Sequence, residues 1–274
     1  MLFRRSGEAL PAFELNLFKN LLGFALLLPT IALVDGFGVP EFPWPEVAIA
    51  LVSGYLGIAV ADTWYLRALH LMGASRTGIV ASLLSPFVIL LSVLFLGERL
   101  RGWQLLGFAM VMSGILLVTW RSKRRSVDAE QVRKGVFYGA GAMFLMAVGI
   151  VMVKEILETR SFLWTTEIRL AGGIGGMLLY ILLRGRAAEV RRHFRQPLPW
   201  KTITLASFLA AYVSMMMWLA GYKLIPASEA SILNESANAW IVLLAWLMLG
   251  EQVDGRKVTG LGLTSAGVGI MLLV

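Results

Sequence analysis

The sequence contains no cysteine, which excludes disulfides, thiol chemistry and cysteine-based metal sites. Only 15% of the 274 residues are charged, whereas 58% are hydrophobic, well above the roughly 45–50% of a soluble domain. Two histidines and no glycine-rich phosphate loop with lysine are present, so ATP-driven transport is not expected. No Ser/His arrangement inside the apolar segments offers a nucleophile and base. The composition therefore predicts a membrane protein that is not an enzyme and needs no cofactor or metal.

The formal net charge of +8 could suggest a nucleic-acid partner. However, the basic residues lie in short runs between apolar segments, where orientation in a lipid bilayer explains them. We therefore predict a chain embedded in the bilayer, with no nucleic-acid partner.

Apolar segments of about 18 or more residues can cross a hydrocarbon core of roughly 30 Å as helices. The sequence predicts nine such helices and an all-α polytopic membrane protein. They span approximately residues 12–34, 46–70, 76–97, 102–120, 134–157, 163–184, 200–223, 228–250 and 256–274.

The chain repeats itself after 153 residues. Leu96-Gly97-Glu98 recurs as Leu249-Gly250-Glu251, and glycines follow both at the same spacing. Between Leu66 and Gly114 the shift gives 14 identities in 49 positions, including Ala74-Ser75 onto Ala227-Ser228. Such self-similarity indicates an internal duplication, with copies at 1–121 and 122–274.

The duplication also predicts a helix that the sequence does not contain. The counterpart of segment 134–157 would lie almost entirely before Met1, so ten helices are expected and the first is missing. Either the start is misassigned or truncated, or this is a nine-helix variant. A nine-helix form would leave one surface without its usual partner, and for it we expect a homodimer.

The distribution of basic residues predicts the orientation. On one side of the nine helices stand 18 Lys and Arg, mostly in loops 121–134 and 184–201, against 5 on the other side. By the positive-inside rule, Met1 and both basic loops are cytoplasmic and the C-terminus is outside. Because each copy has an odd number of helices, the second is inverted relative to the first, as in secondary carriers.

The doubled pattern resembles the EamA-type family of the drug/metabolite transporter superfamily. In that family, each copy has a helix running from a small-residue turn to Leu-Gly-Glu, followed by a glycine-spaced final helix. Ser85-Pro86 matches the proline usual in the fourth helix of the first copy, where the second copy has Ala239. The resemblance implies a carrier whose halves enclose a central cavity. This sequence departs from the family pattern in two respects. Its first helix is absent, and its C-terminus is predicted to lie outside.

The motif residues themselves are interpreted as structural. Glu98 and Glu251 precede the first turn of the next helix, where backbone N–H groups and the dipole favour a carboxylate. Glycines such as Gly97, Gly250 and Gly172 let helices approach closely.

Polar residues inside apolar helices are the better functional candidates, since each costs roughly 2.5–3.5 kcal/mol or more at the bilayer centre. Asp62 and Glu235 are predicted to approach a midplane cavity from opposite copies, or to be satisfied by neighbouring donors. The other substrate or coupling candidates are Tyr65, Tyr212, Trp218, Asn234 and Asn238. A secondary charged set comprises Glu14, Lys19, Glu167 and Arg169, in which Lys19 and Arg169 could simply neutralise the two acids.

Three functions fit these features. The first is a secondary carrier of small metabolites or amphipathic organic solutes in the cytoplasmic membrane, working by alternating access without ATP hydrolysis. The second is a flippase for lipids or lipid-linked molecules. The third is a membrane scaffold that does not transport.

Overall fold

The computed structural model of the chain describes residues 10–36, 38, 40–72, 74–99, 101–119, 129–235, 237 and 255–272. Within these ranges every regular element is helical, which confirms the predicted all-α class. In chain order the helices are α1 (Ala12–Val34), α2 (Trp44–Met72), α3 (Ala74–Ala81), α4 (Leu84–Phe95), α5 (Gly102–Thr119), α6 (Ala129–Thr159), α7 (Phe162–Leu183), α8 (Ala187–Phe194), α9 (Trp200–Leu224), α10 (227–235) and α11 (Gly255–Leu272).

Five of the helices in the described ranges are long and apolar enough to cross a membrane, namely α1, α2, α6, α7 and α9. α4 and part of α11 are shorter and apolar. The described helices lie where the hydrophobic segments predicted them, although only the first part of segment 228–250 is described. The chain is therefore a polytopic membrane protein.

The basic stretch 184–201 is not only a loop, as the sequence suggested. It contains α8, an amphipathic helix that buries Val190 beside α7 and keeps Arg191 and Arg192 exposed. Its single buried apolar position is too weak a signal for a helix to be predicted from hydropathy. Of the other basic loop, residues 129–134 belong to α6, and 121–128 lie outside the described residues.

The third predicted segment is divided into α3 and α4 by a short break at Ser82 and Leu83. Pro86, in the first turn of α4, has no backbone N–H and so cannot bond to the carbonyl four residues earlier. Proline is tolerated at this position of a new helix, and its ring would clash in a continuous one. The break therefore follows from the Ser-Pro pair.

Two spanning helices carry π-helical segments at equivalent positions in the two copies. In α2 the segment is Tyr55–Ala61, and in α9 it is Leu209–Ser214. A shift of 153 residues places one on the other. Each segment lies at the middle of its helix. Because π-helical turns are rare and occur frequently at functional sites, this paired irregularity indicates a candidate functional region.

Helices from different copies approach each other with glycine at the contact. A Cβ added at Gly54 of α2 would lie 1.8 Å from the carbonyl oxygen of Arg169 in α7, and one at Gly172 would lie 2.2 Å from that of Leu51. We call this backbone contact of α2 with α7 the glycine seam. Between α5 and α11, a Cβ at Gly114 would lie 2.5 Å from the Gly260 carbonyl oxygen. Small residues thus bring these backbones together.

Glu98 caps a helix, but not the helix that follows it in sequence. Its Oε1 accepts from the Ala227 N–H at 2.7 Å and its Oε2 from the Ser228 N–H at 2.9 Å, both at the start of α10. The Ser228 hydroxyl also bonds to Oε2. Gly97, with φ of +66°, provides the left-handed turn that ends α4 and releases Glu98 towards the other copy. The interpretation that Glu98 serves the next helix is therefore wrong.

Candidate functional site

A cavity of about 260 Å³ lies between helices of the two copies. Both π-helical segments reach it, with Gly57 and Ile58 from α2 and Ala210, Ala211 and Ser214 from α9. Ile58 is the middle residue of α2, so the cavity lies about halfway along the spanning helices. The described residues that line it are Lys19, Gly57, Ile58, Asp62, Met146, Arg169, Ala210, Ala211, Ser214, Met215, Trp218 and Leu219.

Three charged side chains line this cavity. Lys19 of α1 donates a short hydrogen bond to Asp62 of α2, and both side chains are largely buried. Arg169 of α7 is 3% exposed, and its Nε has no hydrogen-bond partner among the described residues. Asp62 also acts electrostatically on Arg169. The described part of the cavity therefore holds two cations and one carboxylate.

The interpretation that Lys19 and Arg169 neutralise Glu14 and Glu167 is wrong for Lys19, which pairs with Asp62. Residues five apart lie on different faces of a helix, and so do residues two apart, so neither acid shares a face with its proposed cation. Glu167 is buried, both of its oxygens lack a hydrogen-bond partner among the described residues, and it is not part of the cavity lining.

Glu14 forms a separate charged cluster with α8. Its Oε1 lies 3.0 Å from His193 Nδ1 and 3.7 Å from Arg186, while Arg186 donates two hydrogen bonds to Glu189. The bond from Arg186 lowers the pKa of the Glu189 carboxyl and raises that of the guanidinium. Glu14, Glu189 and His193 have ligand atoms close enough to hold a metal ion. However, the cationic Arg186 already hydrogen-bonds to Glu189 and forms an ion pair with Glu14, which disfavours a second cation.

The other predicted site residues are distributed more widely. Trp218 lines the cavity, whereas Tyr65 packs in the core with α4 and α6. The Tyr212 hydroxyl lies 2.5 Å from that of Thr30 in α1. Glu235 is buried with its Oε1 3.0 Å from Ser85 Oγ, and like the half-buried Asn234 it does not belong to the cavity lining. Asn238 lies outside the described residues.

Several cavity residues could not be found from the sequence. Gly57, Met146, Ala210 and Ser214 are small or apolar, and in the sequence they resemble the rest of an apolar helix. The equivalence of Gly57 and Ala210 could have been noticed, because these residues are 153 positions apart. The π-helical geometry of the segments that contain Gly57, Ala210 and Ser214 left no recognisable signal in the residue types.

Comparison with known proteins places the chain in a family. The model of the EamA-like transporter family matches residues 1–120 and again 133–273. A crystal structure of a protein with 20% sequence identity aligns over 99% of this chain and 91% of its own, with a TM-score of 0.77, and shares the fold. No curated protein matches significantly. Because the family model matches nearly the whole length in two copies, this protein belongs to the EamA-like transporter family.

Proposed function

We propose that the protein is a secondary transporter that moves a small organic solute through the central cavity by alternating access, without hydrolysing ATP. The observation that carries this proposal is the position of the cavity halfway along α2 and α9, where both copies contribute a π-helical segment. Secondary carriers bind substrate near the midplane, at the interface of their repeats and beside irregular helices.

The lining also suits a solute that binds and is then released, rather than a permanent structural ligand. The cavity combines three charged side chains with the thioethers of Met146 and Met215 and the indole of Trp218. Such adaptable apolar surfaces accept solutes of varied shape. Its volume falls just below the roughly 300–1,000 Å³ of sites for drug-sized ligands, so the solute is small.

The excess of basic residues gives the proposed orientation in the cytoplasmic membrane. The segment 184–201, which includes α8, faces the cytoplasm, and the loop between α1 and α2 faces outward. The Glu14 cluster then lies at the cytoplasmic end of α1, and Glu98 caps α10 at the outer face.

Alternating access can be tested without knowing the substrate. The chain has no cysteine, so Ser214→Cys places one thiol in the cavity with little change in shape. Right-side-out and inside-out membrane vesicles are treated with a membrane-impermeant thiol reagent. We expect labelling from both sides, because the cavity opens to each in turn. Met217→Cys, on the same helix at a position 73% exposed on the protein surface and outside the cavity, is the control and should stay unlabelled in lipid.

Labelling of Ser214→Cys from one side only would contradict alternating access and favour a scaffold that does not transport. Absence of labelling from both sides, with Ser214→Cys folded and inserted, would contradict the proposal as well.

A further inference from the structure

Among the described residues of the cavity lining, Arg169 carries a positive charge that no ion pair of its own compensates. Lys19 and Asp62 already form an ion pair, whereas the buried Nε of Arg169 has no partner among the described residues. A charge within a membrane persists only with a partner or in a water-filled cavity. Asp62 interacts electrostatically with both cations, Lys19 and Arg169. With two cations and one carboxylate, the described part of the lining carries one net positive charge.

The second copy alone contributes this guanidinium. The residue 153 positions before Arg169 is Asn16, whose Nδ2 donates to the Ile58 carbonyl at 2.7 Å and contacts Thr63 Oγ1 at 3.0 Å. Asn16 is fully buried and its amide is engaged within the protein. The counterpart of Asp62 is Met215, which also lines the cavity and has no charge. The second copy thus gives the lining a cation that has no cationic counterpart in the first copy, and an apolar residue where the first copy has Asp62.

Nearby acids in the described ranges do not neutralise Arg169. Glu167 is two residues away, about 200° around the helix, and is not part of the cavity lining. Glu14 contacts His193 and Arg186 instead. Glu235 interacts with Ser85. Among the described residues, Arg169 is therefore left able to bind an acidic group that enters the cavity.

We propose that the transported solute is a small organic anion, whose acidic group binds Arg169 beside the Lys19–Asp62 pair and whose apolar body contacts Trp218 and Met215. The planar guanidinium binds a carboxylate or a similar oxyanion through paired hydrogen bonds. This inference deepens the proposed function, on which it rests.

The experiment uses phenylacetate, its neutral amide phenylacetamide and the cation phenethylammonium as probes of similar size. Each is tested for protection of Ser214→Cys against N-ethylmaleimide, a neutral reagent, in purified protein. We expect phenylacetate to slow labelling at least about fivefold more than either other probe, because only the anion neutralises Arg169. Equal protection by the amide, or stronger protection by the cation, would overturn the proposal.

Two further substitutions in the Ser214→Cys protein should act in opposite directions. Arg169→Gln removes the unpaired cation and should abolish protection by phenylacetate. Asp62→Asn leaves two cations and should strengthen that protection. A general loss of structure would weaken protection in both, and size-exclusion chromatography shows whether each variant is folded. Should Arg169→Gln fail to fold, the Asp62→Asn result alone decides, and weaker protection in this variant contradicts the proposal.

Failure of this inference can be distinguished from failure of the proposed function. Two-sided labelling of Ser214→Cys without preference for the anion would retain the transporter and reject the substrate class. One-sided labelling with clear protection by phenylacetate would indicate an anion-binding protein that does not transport.

Discussion

The Lys19–Asp62 pair joins α1 to α2 within the first copy, and its side chains are only 13% and 21% exposed. We expect Asp62→Asn alone to destabilise the protein more than the double substitution with Lys19→Gln, because the single change leaves two buried cations without an acid. A double-mutant cycle of thermal stability should give a coupling free energy of about 1.5–3 kcal/mol.

The exposed pair of Glu130 and Lys134 is the control for this cycle. Its side chains are 57% and 58% exposed and stand four residues apart on α6. Water screens such exposed pairs, so they contribute little to stability. A coupling at Lys19–Asp62 no larger than that of the control pair would mean that water screens the cavity pair.

Glu98 uses both carboxylate oxygens to cap α10. We expect Glu98→Ala to cost about 2 kcal/mol or more, since it removes a charged cap from two backbone N–H groups. Glu98→Gln should lose less, because one amide oxygen can still accept. Fluorescence-detected chromatography after heating measures the effect, with the exposed Glu155→Ala as the control. A Glu98→Ala protein as heat-stable as the control would show that water satisfies these N–H groups.

At the level of single residues, the sequence indicated which charged side chains line the cavity better than which of them pair. Asp62, Lys19 and Arg169 are recognisable because charges are rare and costly inside apolar helices. Their arrangement depends on how α1, α2 and α7 are rotated against each other. Hydropathy does not specify that rotation, so the ion pair of Lys19 with Asp62, 43 residues apart, could not be predicted.

At the level of elements, the glycine seam is the most sensitive contact. A Cβ at Gly172 would lie 2.2 Å from the Leu51 carbonyl oxygen, which belongs to the backbone and cannot turn aside. We expect Gly172→Ala to destabilise the protein by about 1–3 kcal/mol through overpacking. Thermal denaturation of the purified variant measures this loss.

Gly175→Ala is the matched control, three residues further along α7. A Cβ there meets nothing within 4 Å, and alanine favours a helix over glycine by about 0.8–1.0 kcal/mol. We therefore expect this variant to be at least as stable as the parent. A Gly172→Ala protein as stable as the Gly175→Ala protein would mean that α2 and α7 can separate without a loss of stability.

Helix positions were largely predictable from hydropathy, since a spanning helix must be long and apolar. The predicted segment 12–34 coincides with α1, and 102–120 nearly coincides with α5. The irregular parts were not predictable. Whether an apolar helix becomes π-helical at Tyr55–Ala61 depends on packing against its neighbours, and α8 depends on Glu14 and on contacts with α7.

At the level of the whole molecule, the basic loops predict which face of the membrane each connection between helices occupies. Single cysteines at Gln196, in the exposed part of the basic loop after α8, and at Gly38, between α1 and α2, provide the test. In intact cells a membrane-impermeant thiol reagent should label Gly38→Cys only, because the basic loop stays in the cytoplasm. Labelling of Gln196→Cys alone would show that the chain has the opposite orientation.

The glycine seam also limits how the two copies can move. A slide of one residue along the helix axis, about 1.5 Å, would replace Gly54 or Gly172 by a neighbour whose side chain has no room. A corresponding contact joins α1 to α9, where a Cβ at Gly23 would lie 2.9 Å from the Ala211 carbonyl oxygen. Tilting keeps these contacts in place, whereas sliding breaks them. These two contacts therefore favour tilting of the helices around the cavity over sliding along their axes.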